Sequence, residues 1–137
     1  MKLSIVAVSA LSAVSSVAAS RMHKRIDHPN ARLTWFNLPS GKDQCGHTLA
    51  ANAAAVHVPK AMWRNGENCG QWMEVNLNGK KSYGMVTGYC DGCQGNEIDL
   101  SPAMFEHYDN CDTGILNGAS WKFMNKNWQP KDMDECD

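Results

Sequence analysis

The chain has 137 residues with 13 basic and 14 acidic side chains, a length typical of a single domain. The first 25 residues contain four of the basic residues and no acidic one, so the remaining 112 residues carry 9 basic and 14 acidic groups, a net charge of −5. Nucleic-acid binding requires a clustered cationic surface that neutralises phosphates. This charge balance therefore excludes nucleic acid as a partner.

The N-terminal segment has the order of a secretory signal peptide. Lys2 is followed by an uncharged run over residues 3–19, and small residues at positions 18–20 offer a cleavage point. A membrane anchor is the alternative, but the run is shorter than the ~20 strongly apolar residues that span a bilayer, and it contains five serines. We therefore predict a signal peptide at residues 1–19, a secreted, extracellular protein and no membrane partner.

A basic segment follows the predicted signal peptide. Residues 20–25 end in Lys24-Arg25, which resembles a dibasic processing site of the fungal secretory pathway. Cleavage there would start the mature chain at Ile26, whereas the alternative is a disordered basic arm. A domain is expected over residues 26–124, with an acidic tail over residues 125–137.

An even number of cysteines in a small secreted domain predicts a disulfide framework. The six cysteines are Cys45, Cys69, Cys90, Cys93, Cys111 and Cys136. The pair Cys90 and Cys93 has the spacing of a zinc knuckle, but no second ligand pair occurs, and the five histidines show no metal-ligand spacing. We therefore expect structural disulfides, no metal and no cofactor.

The pattern of the domain is mainly β. Strands are predicted at residues 32–36, 50–58, 71–77, 81–89, 98–100 and 120–124, with Asn78-Gly79 as a hairpin turn. Residues 59–63 allow one helical turn, and Ser101 as N-cap before Pro102 predicts a short helix that reaches residue 108. Short strands joined by turns favour a closed barrel, because a barrel leaves no sheet edge exposed.

Five short motifs occur in order along the domain. They are Thr34-Trp35-Phe36, Cys45-Gly46, Asn68-Cys69-Gly70, the run from Gly88-Tyr89-Cys90-Asp91-Gly92-Cys93 to Asp99-Leu100-Ser101 and Phe105, and Ser120-Trp121-Lys122-Phe123. This combination resembles the double-psi β-barrel proteins, which include expansins, single-domain loosenins, rare lipoprotein A and barwin-like proteins. The resemblance covers residues 33–124 and implies an all-β fold: a six-stranded double-psi β-barrel with one short helix, stapled by disulfides. Cys111 and Cys136 fall outside the motifs, so the simplest pairing ties the tail back through these two.

Asp99 is the leading candidate for a catalytic residue. It lies between Ile98 and Leu100, so in a strand its carboxylate points away from two apolar neighbours and toward a surface groove. Apolar surroundings raise the pKa of a carboxyl group, which suits a general acid for a glycosidic oxygen, and the resemblance implies this role in hydrolytic relatives. Glu97 adds negative charge and is expected to raise the pKa of Asp99 further. The alternative is that Asp99 only caps the helix or bonds to the loop.

Glycoside hydrolysis needs a second carboxylate, about 6.5–9.5 Å from the first in inverting enzymes. The resemblance places that base directly after the first-strand motif, where this chain has Asn37. Asp43, two residues before Cys45, is the candidate replacement. We therefore expect no efficient hydrolysis.

The ligand-binding candidates come from the same motifs. Thr34 and Phe36 share one face of the first strand and Trp35 points to the opposite face. The resemblance to the double-psi β-barrel proteins implies that Thr34 and Phe36 face the groove. Asp91 either lines the groove or bonds to loop amides. Trp121 is expected to be partly buried in the last strand.

Three functions remain open. The first is an expansin-like monomer that binds cell-wall polysaccharide (cellulose, chitin or peptidoglycan) and loosens it without efficient hydrolysis. The second is a protein-binding effector, defence-type protein or protease inhibitor that contacts a host or target protein through loops around residues 60–70. The third is a weak glycoside hydrolase or lytic transglycosylase.

Overall fold

The computed structural model describes residues 27–131. The predicted signal peptide, the dibasic site and Cys136 lie outside this range. The strands are β1 (His28–Trp35), β2 (Ala55–Pro59), β3 (Trp72–Leu77), β4 (Lys80–Cys90), β5 (Ile98–Leu100) and β6 (Leu116–Phe123). Two short helices, α1 (Lys60–Trp63) and α2 (Pro102–Glu106), follow β2 and β5.

The six strands close into a barrel with the order β1-β5-β2-β4-β3-β6. The pairs β1/β5 and β2/β4 are parallel, and the other four pairs are antiparallel. The predicted all-β barrel with a short helix is therefore confirmed. None of the helices between residues 27 and 131 is long and apolar enough to cross a bilayer.

The barrel interior is filled by alternate residues of each strand. In β3, for example, Met73, Val75 and Leu77 are buried while their neighbours face outward. Trp121 and Phe105 are the largest side chains with less than 2% exposure. The hairpin predicted at Asn78-Gly79 joins β3 to β4, and both residues have positive φ, 52° and 81°, as a tight hairpin turn requires.

Several predicted boundaries are wrong. Strand β1 begins at His28 rather than residue 32, β6 begins at Leu116 rather than residue 120, and α2 ends at Glu106 rather than residue 108. Strand β2 covers Ala55–Pro59, within the stretch that we expected to be a strand flanked by irregular chain. Ser101 occupies the N-cap position as predicted, but its hydroxyl does not cap the helix. That buried hydroxyl accepts a hydrogen bond from the amide of Ala55 (3.0 Å) and donates one to the carbonyl of Ala53 (2.7 Å), so it ties the start of β2 to the start of α2.

Two of the predicted disulfides lie within the described range. Cys45 is bonded to Cys69 across 24 positions, and Cys90 is bonded to Cys93 within one loop. The first links the loop after β1 to the loop before β3. The predicted partner of Cys111, Cys136, lies outside the described range.

Candidate functional site

Strand register places four residues side by side across the outside of the barrel. Thr34 of β1 is next to Asp99 of β5, Asp99 is opposite His57 of β2, and His57 is next to Gly88 of β4. We call these four residues the cross-strand row. Their strand neighbours Leu33, Val56, Val58, Ile98 and Leu100 are fully buried. Because successive side chains alternate across a strand, the row faces outward.

Asp99 lies at the centre of the row and is half-buried. The Thr34 hydroxyl donates a hydrogen bond to one of its carboxylate oxygens. Burial raises the pKa of Asp99 above its usual value, and the charge of Glu97 raises it further, as the sequence predicts. The row therefore holds a carboxyl group whose pKa is raised both by burial and by a neighbouring negative charge.

Glu97 is itself paired with a cation beside the row. Its Oε1 atom lies 2.5 Å from Nη2 of Arg32 on β1, and its Oε2 atom accepts a hydrogen bond from the amide of Gln94. The ion pair fixes the Glu97 carboxylate next to Asp99. The negative charge near Asp99 is thus held in a defined place.

His57 provides the aromatic part of the site together with Phe36. The two rings are stacked with centroids 3.6 Å apart and an interplanar angle of 12°. Burial lowers the pKa of His57 to about 4, although the charge of Asp43 acts in the opposite direction. The imidazole is therefore neutral at neutral pH, and it forms a flat, uncharged surface beside Asp99.

Gly88 ends the row because there is no room for a side chain at that position. A Cβ atom there would collide with Oε1 of Gln44 and lie 3.0 Å from Nε2 of His57. The Gln44 carboxamide oxygen accepts a hydrogen bond of 2.6 Å from the amide of Tyr89. The side chain of Gln44 thus fills the place that residue 88 leaves open.

Asp43 organises the loop after β1. Its side chain is only 1% exposed, and its Oδ1 atom accepts hydrogen bonds from the amides of Cys45 and His47, both 2.8 Å long. The His47 ring nitrogen Nδ1 lies 3.4 Å from the other carboxylate oxygen. This is the arrangement of an Asx turn, in which the carboxylate serves the backbone.

The other three candidates lie apart from the row. The Trp35 indole donates a hydrogen bond to the carbonyl of Cys111 (2.8 Å) and packs against the core. Trp121, expected to be partly buried, is 1% exposed because its ring fills the barrel and its N–H bonds to the carbonyl of Asn96. The Asp91 side chain is 78% exposed and lies 3.6 Å from Nζ of Lys60.

Sequence reasoning missed His57 and Gln44. His57 lies between Val56 and Val58. A polar residue between two apolar ones is the pattern that singled out Asp99, so the sequence could have identified His57 in the same way. Gln44 had no local signal. It reaches Gly88 through the fold of a loop whose next residue, Cys45, is bonded to Cys69.

Two clusters within residues 27–131 each bring together three residues of types that can bind a metal. They are Asp43, Cys45 and His47, and Cys90, Cys93 and Asp99, each with ligand atoms within 4.8 Å of one another. All three of these cysteines are in disulfides, so none supplies the thiolate that binds a metal. The second cluster instead places a disulfide against the Asp99 carboxylate, where it forms an apolar neighbour.

The chain is similar in sequence to two known proteins, although no family model matches it. The papain inhibitor of Streptomyces mobaraensis is 32% identical over 100 residues, which are 68% of this chain and 69% of that protein. A homolog of the allergen Asp f 7 from Arthroderma benhamiae is 24% identical over 102 residues, which are 61% of this chain and 35% of that protein.

Solved structures of two other proteins, among those that match, share the fold. The Streptomyces papain inhibitor superposes with a TM-score of 0.64 at 30% identity, over 72% of this chain and 94% of that chain. An expansin from Clavibacter michiganensis, solved both free and as a mutant in complex with cellohexaose, superposes with a TM-score of 0.67 at 20% identity, over 77% of this chain and 54% of that chain. The protein therefore belongs to the double-psi β-barrel family that contains the Streptomyces papain inhibitor.

Proposed function

We propose that this protein is a secreted glycan-binding barrel that holds a neutral cell-wall polysaccharide on the cross-strand row and loosens its contacts without efficient hydrolysis. One observation carries the proposal: the Thr34–Asp99 pair lies beside the stacked rings of Phe36 and His57 on one outward face. A sugar ring presents hydroxyl groups at its edge and apolar C–H groups on its faces. A polar pair next to an aromatic surface matches both.

The protonation states of the row favour an uncharged ligand. Asp99 has a raised pKa and His57 a lowered one, so both groups are pushed toward their neutral forms. The Asp99 carboxyl group accepts a hydrogen bond from a sugar hydroxyl, and a neutral imidazole stacks on the sugar or accepts a hydrogen bond. The Clavibacter michiganensis expansin, which shares the fold, was solved with the glucan oligosaccharide cellohexaose. That complex supports a glycan as the ligand proposed for this chain.

We propose that hydrolysis is inefficient because residues 27–131 lack a suitable second carboxylate to act as the general base. Asp43 is committed to two loop amides and is almost fully buried, which does not suit a base that activates water. The position after Phe36 is Asn37, whose amide does not act as a base at neutral pH. Asp99 can then serve as a general acid, but neither position supplies a second carboxylate that can act as the general base.

Adsorption to insoluble glycans tests the proposal. The purified protein is mixed with cellulose, chitin and peptidoglycan in turn, and the protein left in solution is measured along with reducing ends. We expect saturable depletion by at least one glycan and no reducing ends above the buffer level. Failure to adsorb to any of the three contradicts glycan binding, and rapid release of reducing ends contradicts the non-hydrolytic part.

A second candidate function is inhibition of a papain-like cysteine protease. The specific support is the 32% identity to the papain inhibitor of Streptomyces mobaraensis, together with the 94% coverage of the solved inhibitor. Titration of papain with the purified protein, followed by hydrolysis of a peptide substrate, tests this candidate. Stoichiometric loss of protease activity is the expected result, and unchanged activity at a large molar excess contradicts it.

A further inference from the structure

The loop between β2 and β3, residues 60–70, is held by a hydrogen bond to strand β4, a disulfide to the loop after β1 and hydrogen bonds within itself. We call it the pinned loop. Cys69 is bonded to Cys45, the amide of Gly70 donates to the carbonyl of Val86 (2.9 Å), and the Asn68 side chain donates to the carbonyl of Met62 (3.0 Å). The loop therefore has a fixed shape before it meets any partner.

The base of the pinned loop rests on an aromatic residue of the barrel. The ring of Trp63 packs against Tyr89 of β4 with centroids 4.7 Å apart, and Nζ of Lys60 lies 5.3 Å from the same ring. Beyond this base the loop turns outward into solvent. Its exposed residues are Lys60, Ala61, Arg64, Asn65 and Glu67.

Three consecutive residues at the outer turn have left-handed backbone. The φ angles of Arg64, Asn65 and Gly66 are 50°, 56° and 88°. Glycine and asparagine adopt this region readily, but an arginine rarely does, because its Cβ crowds the carbonyl oxygen. Such strain persists only where the surrounding structure imposes it, and it is concentrated at functional sites.

Arg64 combines this strained backbone with an exposed cationic side chain. Its side chain is 75% exposed, and its guanidinium lies 4.0 Å from the carboxylate of Glu67, whose side chain is also exposed. An ion pair of this kind contributes little to folding stability. The Arg64 backbone ends α1 and its carbonyl accepts a hydrogen bond from the amide of Glu67 (3.3 Å), whereas its exposed side chain contributes little to the fold.

We propose that the pinned loop is the surface that binds a papain-like cysteine protease, entering its cleft as a rigid wedge with Arg64 at the tip. The inference rests on the second candidate function. A loop that is already ordered loses little conformational entropy on binding. Peptides that add to a cleft as strands are extended, whereas residues 64–66 are not. The wedge therefore occupies the cleft without presenting a peptide bond in a cleavable conformation.

The pinned loop and the cross-strand row have no residue in common, so one variant can test each surface separately. Arg64→Gly removes the guanidinium and keeps the left-handed backbone, because glycine adopts positive φ without strain. Lys80→Ala removes an exposed cation from the hairpin between β3 and β4 and is the matched control. Asp99→Asn alters the row and leaves the loop unchanged.

The experiment is a papain titration with the wild-type protein and these three variants, after each melting temperature has been measured. We expect Arg64→Gly to weaken inhibition by about tenfold or more, as a central interface residue does. Lys80→Ala and Asp99→Asn should inhibit like the wild type. A double Cys45→Ser, Cys69→Ser variant should lose inhibition and be cut by papain within residues 60–70, which mass spectrometry detects.

The outcomes distinguish a failure of the wedge proposal from a failure of the proposed inhibitor function. Inhibition by the wild type that Arg64→Gly retains in full overturns the wedge and leaves the inhibitor function standing. Cleavage of the intact wild-type loop during prolonged incubation also overturns the wedge. A wild-type protein that never inhibits papain overturns the inhibitor function and the wedge together, while glycan adsorption is decided by its own assay.

Discussion

The hydroxyl of Thr34 donates a hydrogen bond to the carboxylate of Asp99 across the parallel strands β1 and β5. The two residues are 65 positions apart in the sequence. Strand β5 also pairs with β2, which brings His57 to the other side of Asp99. Closure of the barrel thus places three segments of the chain next to one another and creates the face on which the proposed function rests.

Replacing Thr34 with valine should weaken glycan adsorption about five- to tenfold. The change keeps the shape of the side chain and removes the hydroxyl that holds the Asp99 carboxyl group in place, and a hydrogen bond contributes about 0.5–1.5 kcal/mol, which corresponds to at most about tenfold in affinity. The pKa of Asp99 should rise further, because its ionised form loses a donor. Adsorption isotherms and an NMR titration of Asp99 measure both effects. Thr113→Val, at an exposed site away from the row, is the control. Equal adsorption by the two variants contradicts a role for Thr34.

The free energy of unfolding should fall as the solution is acidified from pH 6.5 to 4, because His57 is buried in its neutral form. Its pKa is lowered from 6.5 to about 4 in the folded protein, so the unfolded chain binds more protons in that window and stability falls as the pH is lowered. With allowance for partial exposure, we expect a loss of about 1 kcal/mol, or about 4–8 °C in melting temperature. The raised pKa of Asp99 has the opposite effect, because it increases the free energy of unfolding as the pH falls over part of this range.

Thermal melts between pH 7 and pH 4 check the contribution of His57. The variant His57→Gln should lose stability less steeply than the wild type as the pH falls. His107→Gln, at an exposed position after α2, is the matched control and should follow the wild type. Parallel curves for all three proteins are the result that refutes the buried neutral imidazole.

Asp99→Asn should raise the stability of the protein at neutral pH. Because the pKa of Asp99 is raised above 3.8 by burial, the folded state binds the proton more tightly, and stability is lost as the pH rises above 3.8. Asparagine has no charge to bury and still accepts the Thr34 hydrogen bond. We expect a gain in the free energy of unfolding at pH 7 that disappears as the pH is lowered toward 3.8, measured by urea unfolding. A less stable variant at pH 7 contradicts the raised pKa.

The two disulfides should differ in their contribution to stability. Cys45 and Cys69 are 24 positions apart and Cys90 and Cys93 only 3. Loop-closure entropy then assigns about 3.5 kcal/mol to the first bridge and about 1.6 kcal/mol to the second. Urea unfolding of the two double-serine variants should rank them in this order. The reverse ranking contradicts the entropic account.

Local patterns predicted the parts of the fold that depend on neighbouring residues. The alternation in β3, the Asn78-Gly79 turn and the outward Asp99 are confirmed for this reason. The ends of β1 and β6 were missed because residues that are typical of turns lie inside these strands. Asn30 and Gly118 have positive φ at 52° and 83°, and the β1/β6 register shifts near them, as in a bulge.

The candidate site was predicted only in part because half of it depends on contacts between distant segments. Thr34, Phe36 and Asp99 were expected and are brought together. Gln44 reaches the row through the path of a long loop, which no local pattern encodes. Trp121 was a candidate for ligand binding because it lies in a strand motif. A tryptophan that fills the interior of a small barrel lies in the same local sequence pattern, and Trp121 is of this kind.

The adsorption of Asp99→Asn is the most direct test of the glycan-binding face. The variant keeps the shape of the side chain and replaces one carboxyl oxygen, which accepts hydrogen bonds, with an amide nitrogen that only donates them. Asp109→Asn, at an exposed position after α2, is the matched control. Isotherms are measured on whichever insoluble glycan depletes the wild type. We predict an affinity at least about tenfold lower for Asp99→Asn, as for a central contact residue, and wild-type affinity for Asp109→Asn. Wild-type affinity for Asp99→Asn would contradict a ligand held on the cross-strand row.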